Sequence, residues 1–226
     1  MHSLNKYQKS YEKMSLREIA SMYIREKILS GELKVGDRLI EADIAQKLNI
    51  SRAPVREAMR ELNILGIVSF EPRKCNQIID LSCKEVIEIF EIRTALEKQI
   101  YHILIQGNLL NDQDFDNLDD SISRFRNQND DSLNAYERNY LLNTLDIEFH
   151  RYLWKKAGSP KREYLLESLF LQLVIVMNKD ITTFGEFEEK ANEHELILSA
   201  LKTKDESKSC EMLETHMENY IDALID

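Results

Sequence analysis

Histidines and one aspartate recur at helical spacing in three segments of the C-terminal half of the chain. Asp146 and His150 stand four residues apart, so on a helix both side chains project from the same face. His194 and His216 lie in two later segments that also have helical patterns. In a helix bundle, ligands from separate helices can converge on one divalent metal ion. These four residues are therefore candidate metal ligands.

Plainer interpretations of these residues stay open at this point. A histidine in a helix is usually a surface or hydrogen-bonded residue, and an Asp–His pair at i, i+4 is also a common helix salt bridge, worth about a few tenths of a kcal/mol. The apolar neighbours Leu145 and Phe149 indicate that the Asp146 carboxylate is partly buried and needs a partner. Spacing alone does not identify that partner as a metal ion. The other two histidines, His2 and His102, fit no ligand pattern.

A second group of residues, in the N-terminal third, has the chemistry to bind nucleic acid. Arg52, Arg56 and Arg60 recur every four residues and therefore line one face of a helix. Ser51 is a favourable N-cap, and Pro54 falls in the first turn, where its missing N–H costs nothing. A helix fits the major groove of DNA, and arginine matches guanine or phosphate. An ordinary solvated helix face would show the same arginine stripe.

The surrounding residues predict the elements that position these arginines. Apolar spacing predicts three helices, and two short apolar runs predict strands that flank a turn containing Arg73 and Lys74. Two short helices joined by a brief turn and followed by a hairpin predict a winged helix-turn-helix, with both cations near the tip of the wing. The predicted helices cover 16–29, 41–48 and the residues from 51 onward, and the predicted strands cover 66–70 and 77–79.

Composition indicates a soluble, mostly helical protein. Only 6 glycines and 3 prolines occur among 226 residues, which argues against a fold with many tight β-turns. No apolar run approaches the roughly 20 residues that cross a membrane, and the N-terminal residues lack the apolar stretch of a secretion signal. The 3 cysteines are widely spaced and suit a reducing compartment. We therefore expect a cytoplasmic location.

Charge is distributed unevenly along the chain. The formal net charge is −10, but residues 1–80 carry 14 Lys and Arg against 11 Asp and Glu, a net of +3. The other 146 residues carry 16 against 29, a net of −13. This asymmetry is typical of a nucleic-acid-binding module attached to an acidic body, although ordinary scatter also produces a net of +3.

The residues from 82 onward have almost continuous helical patterns interrupted by polar connections rich in Asn and Asp. Six helices of this length predict an antiparallel bundle. We therefore expect a mainly α chain, with a winged helix-turn-helix DNA-binding domain over 1–80 and an all-α antiparallel bundle over 81–226. The predicted body helices cover 82–105, 112–126, 136–157, 161–180, 187–203 and 205–223.

The string Ser51-Arg-Ala-Pro-Val-Arg-Glu-Ala58, preceded by Gly36-Asp-Arg-Leu-Ile-Glu41, resembles the DNA-binding domain of GntR-family bacterial transcription regulators. The resemblance implies that the start of the third helix contacts the operator. The wing departs from the family pattern, because Cys75 stands where a glycine usually enters the minor groove. The residues that the resemblance assigns to DNA are Ser51, Arg52, Ala53, Pro54, Arg56, Arg73 and Lys74.

The runs Glu91-Ile-Arg-Thr-Ala-Leu-Glu97 and Asp146-x-x-Phe-His150, with the segments around the last two histidines, resemble the FCD domain of the FadR branch of that family. Six body helices resemble its VanR-like subgroup, and the resemblance implies that residues 81–226 serve effector binding, metal binding and dimerisation. The resemblance implies that one Asp and three His hold a divalent ion, and Zn²⁺, Ni²⁺ and Mn²⁺ all accept that set. It also implies a small carboxylate effector at the open coordination positions. Arg93 either faces that effector or forms a salt bridge with Glu97 at i+4.

The expected protein is a homodimeric transcription regulator that binds a palindromic double-stranded DNA operator and responds to its effector. One alternative is a sensor for which the metal ion itself is the signal. Another is a metal-dependent hydrolase, since three His and one Asp with open positions can activate water. Against the hydrolase, the sequence has no H-E-x-x-H motif and no evident general base, although Glu148 and Glu193 lie nearby in the sequence.

Overall fold

The computed structural model describes residues 14–70, 76–128, 133–178 and 187–225, which form nine helices and one small sheet. The predicted mainly α class is confirmed. In chain order the elements are α1 (Leu16–Leu29), β1 (Arg38–Leu39), α2 (Glu41–Leu48), α3 (Arg52–Ile64), β2 (Val68–Ser69), β3 (Asn76–Ile78), α4 (Cys83–Gln106), α5 (Asp112–Arg126), α6 (Ala135–Lys156), α7 (Pro160–Met177), α8 (Phe187–Thr203) and α9 (Glu206–Ile225).

The first three helices and the sheet form the winged helix-turn-helix. Asn49, in the left-handed region at φ 55°, makes the tight turn between α2 and α3. The predicted hairpin is present, with β2 and β3 antiparallel and Ser69 opposite Gln77. A third strand, β1, pairs with β3 and was not predicted, because two residues are too short to show a pattern. Arg73 and Lys74 lie outside the described residues, so their predicted place in the wing stays a prediction.

The start of α3 differs in one respect from expectation. Ser51 occupies the N-cap position with extended backbone, but its side chain makes no capping hydrogen bond. An N-cap hydroxyl accepts from the N–H of the second or third helical residue, and the third residue here is Pro54, which has no N–H. The prediction of Ser51 as an N-cap is therefore right in position and wrong about the bond. Its hydroxyl stays exposed at the helix start.

The C-terminal body contains six helices among the described residues, with boundaries within three residues of those predicted. Successive helices pack against one another in the pairs α5–α6, α6–α7 and α8–α9, as in an up-and-down bundle. α6 lies at the centre, because it contacts α4, α5, α7 and α8 and also α1 of the N-terminal domain. A helix with neighbours on so many sides buries polar as well as apolar positions.

Among the described residues, none of the helices combines the length and apolar composition that a membrane crossing requires.

Candidate metal centre and nucleic-acid interface

Four predicted ligands meet in the middle of the body. Asp146 and His150 come from α6, His194 from α8 and His216 from α9, and one ligand atom from each lies within 4.8 Å of the others. All four side chains are buried, with at most 3% of their surface exposed. The i, i+4 spacing on α6 directs its two ligands to one face, and the packing of α6, α8 and α9 brings in the other two.

The outer nitrogen of each histidine is held by an acceptor. His150 Nδ1 lies 2.8 Å from Glu97 Oε2, and His216 Nδ1 lies 2.8 Å from Glu193 Oε2. His194 Nδ1 lies 2.6 Å from the Lys190 carbonyl oxygen. Ionised carboxylates and carbonyl oxygens only accept, so each Nδ1 must carry the proton and donate it. In its neutral form, each of these imidazoles therefore presents an Nε2 lone pair.

These lone pairs face one another and one carboxylate oxygen. His150 Nε2 lies 3.1 Å from His216 Nε2, and His194 Nε2 lies 3.3 Å from Asp146 Oδ1 without the alignment of a hydrogen bond. Two nitrogens at that distance repel unless a proton or a metal ion lies between them. Neutral imidazoles beside an ionised carboxylate are the donor set that a divalent transition metal takes, so the residues fit such an ion.

The protonation states around the cluster suit a cation. Burial acts to raise the pKa of Asp146, but the contact with His194 and the nearby imidazoles outweigh it and hold that pKa well below its usual value. Burial lowers the pKa of His216 to about 3 despite its bond to Glu193. Burial likewise opposes ionisation of Glu193, yet His216 and Lys190 lower its pKa to about 2. At neutral pH the Asp146 carboxylate is therefore ionised and the His216 imidazole is neutral, the forms in which these groups bind a metal ion.

A further set of side chains fixes this cluster from outside. Tyr220 donates its hydroxyl to Asp146 Oδ1 at 3.0 Å. Lys190 pairs with Glu193 at 2.9 Å, and its ammonium lies 3.6 Å from the centre of the Tyr220 ring. Such outer contacts orient metal ligands and contribute strongly to affinity. Glu193 directly precedes the ligand His194, and Tyr220 follows His216 by four residues, but no sequence pattern assigns them this role.

Arg93 lies in a buried pair next to the cluster. Its Nε donates to Glu97 Oε1 at 2.7 Å, and both side chains are almost fully buried. The predicted salt bridge is therefore present. Arg93 Nη2 is buried with no hydrogen-bond partner among the described residues, and the guanidinium lies 5.3 Å from the centre of the Phe170 ring. A buried donor without a partner costs free energy, so an acceptor that reaches it would bind there.

The predicted nucleic-acid face is on the surface of α3. Arg52, Arg56 and Arg60 are exposed, whereas the apolar residues of the helix face the core. Arg56 forms a two-pronged ion pair with Glu41 of α2, with nitrogen–oxygen distances of 2.9–3.1 Å. Its hydrogen bonds lower the pKa of Glu41. The sequence motif contained Glu41 but gave no reason for it, and in the structure this residue is the ion-pair partner of Arg56.

The acidic residues near the cluster do not supply a general base. Glu148 is partly exposed and pairs with Arg124 at 2.6 Å. Glu193 is already bound to His216, Lys190 and Asn219. Neither carboxylate is available to take a proton from a water molecule at the cluster.

Two family descriptions match successive parts of the chain, and curated relatives cover most of it. The bacterial regulatory proteins of the gntR family match residues 12–76, and the FCD domain matches residues 88–219. The gluconate operon transcriptional repressor of Bacillus subtilis is 26% identical over 210 residues, 90% of this chain and 82% of that protein. The uncharacterized regulator YdhC of the same organism is 35% identical over only 82 residues, 36% of this chain and 37% of that protein.

Solved structures share this fold. E. coli McbR/YncC superposes with a TM-score of 0.82 at 22% identity, covering 94% of this chain and 98% of that one. A GntR regulator from Rhodococcus sp. RHA1 has a TM-score of 0.72 at 21% identity, with the same coverage. The relatives are transcriptional regulators, so the hydrolase alternative is wrong. The chain belongs to the GntR family: it is a DNA-binding transcription regulator with a C-terminal effector-binding FCD domain, and not an enzyme.

Proposed function

We propose that operator binding by this regulator is modulated by a small carboxylate effector at a metal-containing pocket in the body. The observation that carries the proposal is the convergence of one ligand atom from each of three histidines and one aspartate within 4.8 Å of one another, with two of the histidine nitrogens 3.1 Å apart. Asp146, His150, His194 and His216 would hold the ion. Zn²⁺, Ni²⁺ and Mn²⁺ all accept this donor set. When bound, the ion supplies open coordination positions for an oxygen ligand.

Arg93 supports the assignment of a carboxylate as effector. Its unpartnered Nη2 is a buried, charged donor beside the cluster, and arginine pairs with carboxylates through two parallel hydrogen bonds. The Nε already binds Glu97, which orients His150. An effector bound to Nη2 would therefore contact Arg93, which is linked through Glu97 to the metal ligand His150.

The recognition surface is proposed at the start of α3. The Ser51 hydroxyl makes no capping hydrogen bond, because Pro54 has no N–H to donate, so it is free to contact DNA. The small side chain of Ala53 would allow the helix to approach a base edge closely. Arg52 and Arg56 are exposed beside them. We propose that residues 1–80 form this DNA-binding domain, with Arg73 and Lys74 as further contacts, and that 81–226 form the body. Two copies in a cytoplasmic homodimer would read a palindromic operator.

Metal content of the purified protein tests the proposal. Inductively coupled plasma mass spectrometry should find about one equivalent of a transition metal in the native chain. The double variant His150→Ala/His194→Ala should contain none. His102→Ala is the matched control, because His102 is exposed and pairs with Glu206 away from the cluster. Absence of metal from native protein purified without chelators would refute the metal pocket and leave the DNA-binding assignment intact.

A metal sensor is the second candidate, favoured by the burial of all four ligands. A closed site can report metal without any metabolite. The two candidates differ in what releases DNA. Operator binding that changes with metal alone, and ignores a panel of small carboxylates, would favour the sensor.

A further inference from the structure

A polar stripe runs along the buried face of α6, from the metal cluster to the DNA-binding domain. Asn139, Asn143, Asp146 and His150 are separated by four, three and four residues, so they share one face of the helix. All four are buried. With a rise of about 1.5 Å per residue, Asn143 stands only about 4–5 Å along the axis from Asp146. Asn139 and Asn143 are not among the candidate metal ligands, so their burial has another cause.

The amides of the stripe bind the C-terminal end of α1. Asn143 Nδ2 donates to the Leu29 carbonyl at 2.9 Å, and Asn139 Nδ2 does so more weakly at 3.4 Å. Asn178, the C-cap of α7, donates to the Ile28 carbonyl at 2.6 Å and accepts from Asn139 at 2.7 Å. The last carbonyls of a helix have no partner within it. The body therefore caps α1.

A second pair of body side chains caps α3, the helix that carries the exposed arginines. Ser168 Oγ and Gln172 Nε2 donate to the Leu65 carbonyl at 2.6 and 2.9 Å. The next residue, Gly66, has φ +65°, and a Cβ there would lie 3.2 Å from Gln172 Nε2. The backbone at 66 thus approaches α7 closely. The capped end of α3 lies about 20 Å from the DNA-facing end.

α7 connects the second contact with the effector pocket. Ser168 and Gln172 lie four residues apart on one face of α7, while Phe170 projects from another face and contacts the Arg93 guanidinium. α6 likewise carries, on one helix, two metal ligands and the two asparagines that bind the end of α1. A displacement of α6 at the cluster, or of α7 at Arg93, would therefore also displace the side chains that hold the ends of α1 and α3.

We propose that the five body side chains that hold the ends of α1 and α3 form a capping seam. Through this seam, metal occupancy sets the orientation of the DNA-binding domain. All five donors are neutral, so the buried seam desolvates no charge. Beside the seam a cleft of about 760 Å³ separates the domains, lined by residues that include Tyr23 and Lys27 on one side and Tyr136 on the other. The cleft gives the domain room to tilt about its capped helix ends. The seam consists of Asn139, Asn143, Ser168, Gln172 and Asn178.

Hydrogen–deuterium exchange on the full chain tests the seam. The protein is stripped with a chelator, and Zn²⁺, Ni²⁺ and Mn²⁺ are added in turn as probes. In native protein, a metal that binds should slow exchange at residues 26–33 and 61–68, the two capped helix ends. Asn143→Ala should lose the response at 26–33 only, and Gln172→Ala should lose it at 61–68 only. Both variants should bind the metal as tightly as native protein in calorimetry.

Thr144→Val is the matched control, because Thr144 neighbours Asn143 on α6 and its hydroxyl has no hydrogen-bond partner within the described residues. It should respond like native protein. Should Asn143→Ala fail to fold by circular dichroism, Gln172→Ala, which is only partly buried, tests the seam alone. The inference rests on the proposed function, but the two fail differently. Metal binding without a response at either helix end, or variants that keep the native response, overturns the seam. No binding of any probe contradicts the metal pocket.

Discussion

The recognition helix and the metal centre hold their nitrogen-bearing side chains in opposite environments. Arg56 pairs with Glu41 on the surface, with 53% of its side chain exposed. His150 pairs with Glu97 where both side chains are fully buried. In each region a carboxylate pairs with a nitrogen-bearing side chain, but only the Arg56–Glu41 pair is accessible to a large ligand.

This difference fits the two ligands. An exposed ion pair contributes little to stability, so Glu41 can release Arg56 to a phosphate or a base without leaving a buried charge. A buried carboxylate that loses its partner is costly, so the fully buried Glu97 and the partly buried Glu193 fix their imidazoles before any ligand arrives. The recognition surface is adaptable, and the metal centre is preorganised.

The largest expected effect is that of metal on the stability of the body. A ligand at 100- to 1,000-fold excess over its Kd stabilises the folded state by about 3–4 kcal/mol. After chelator treatment, the midpoint temperature of thermal unfolding of the native chain should therefore rise by several degrees when metal is added. The His150→Ala/His194→Ala double variant should show no such rise, whereas His102→Ala should show all of it. A metal-dependent rise in the double variant would mean that the ion binds elsewhere.

Loss of Arg56 should have the next largest effect, on DNA binding alone. If its guanidinium contacts a base, Arg56→Ala should weaken binding about 5- to 150-fold. Fluorescence anisotropy with a duplex selected from a random library measures this. Arg124→Ala is a matched control, because Arg124 is also 53% exposed and carboxylate-paired, but lies in the body. Equal binding by both variants would remove Arg56 from the interface.

Removing an outer contact of the metal centre should weaken metal binding about 10- to 100-fold. Glu193→Leu deletes the acceptor that fixes the His216 ring, and Glu193→Gln keeps an acceptor and should lose less. Competition with a fluorescent chelator gives the Kd values. Glu195→Gln, on the same helix and paired with Arg126 at the surface, should bind like native protein. If Glu193→Leu binds metal as tightly as native protein, preorganisation by Glu193 is wrong.

The smallest expected effect is that of the surface pair. Glu41→Gln frees Arg56 and removes one negative charge near DNA, so binding to random duplex should tighten by less than about fivefold. Asp43→Asn removes the same charge from an exposed position on α2 without touching Arg56. The same anisotropy measurement on both variants then separates the effect of orienting Arg56 from the effect of charge. A smaller preference for the selected duplex over random duplex in Glu41→Gln, but not in Asp43→Asn, would show that the pair positions Arg56.

Helix boundaries were largely predictable, because apolar periodicity and caps are local properties. The predicted bounds of α5 and α8 agree with the structure. α7 was predicted to reach 180, but it ends at Met177, with Asn178 as its cap. That amide ends the helix while binding Ile28 of the other domain, a distant contact that no local pattern contains. The strand β1 was missed for a similar reason, since its partner β3 lies far along the chain.

The sequence by itself determined the class of fold, the family, the arginine face and the four residue types that meet in the body. It determined them because periodicity, capping and short motifs are written in neighbouring residues. Only the tertiary structure decided which nitrogen of each histidine faces inward, that Glu193 and Tyr220 complete the cluster, and that Asn143 caps α1. Those contacts join residues far apart in the chain, and their geometry exists only once α6 is packed against its neighbours.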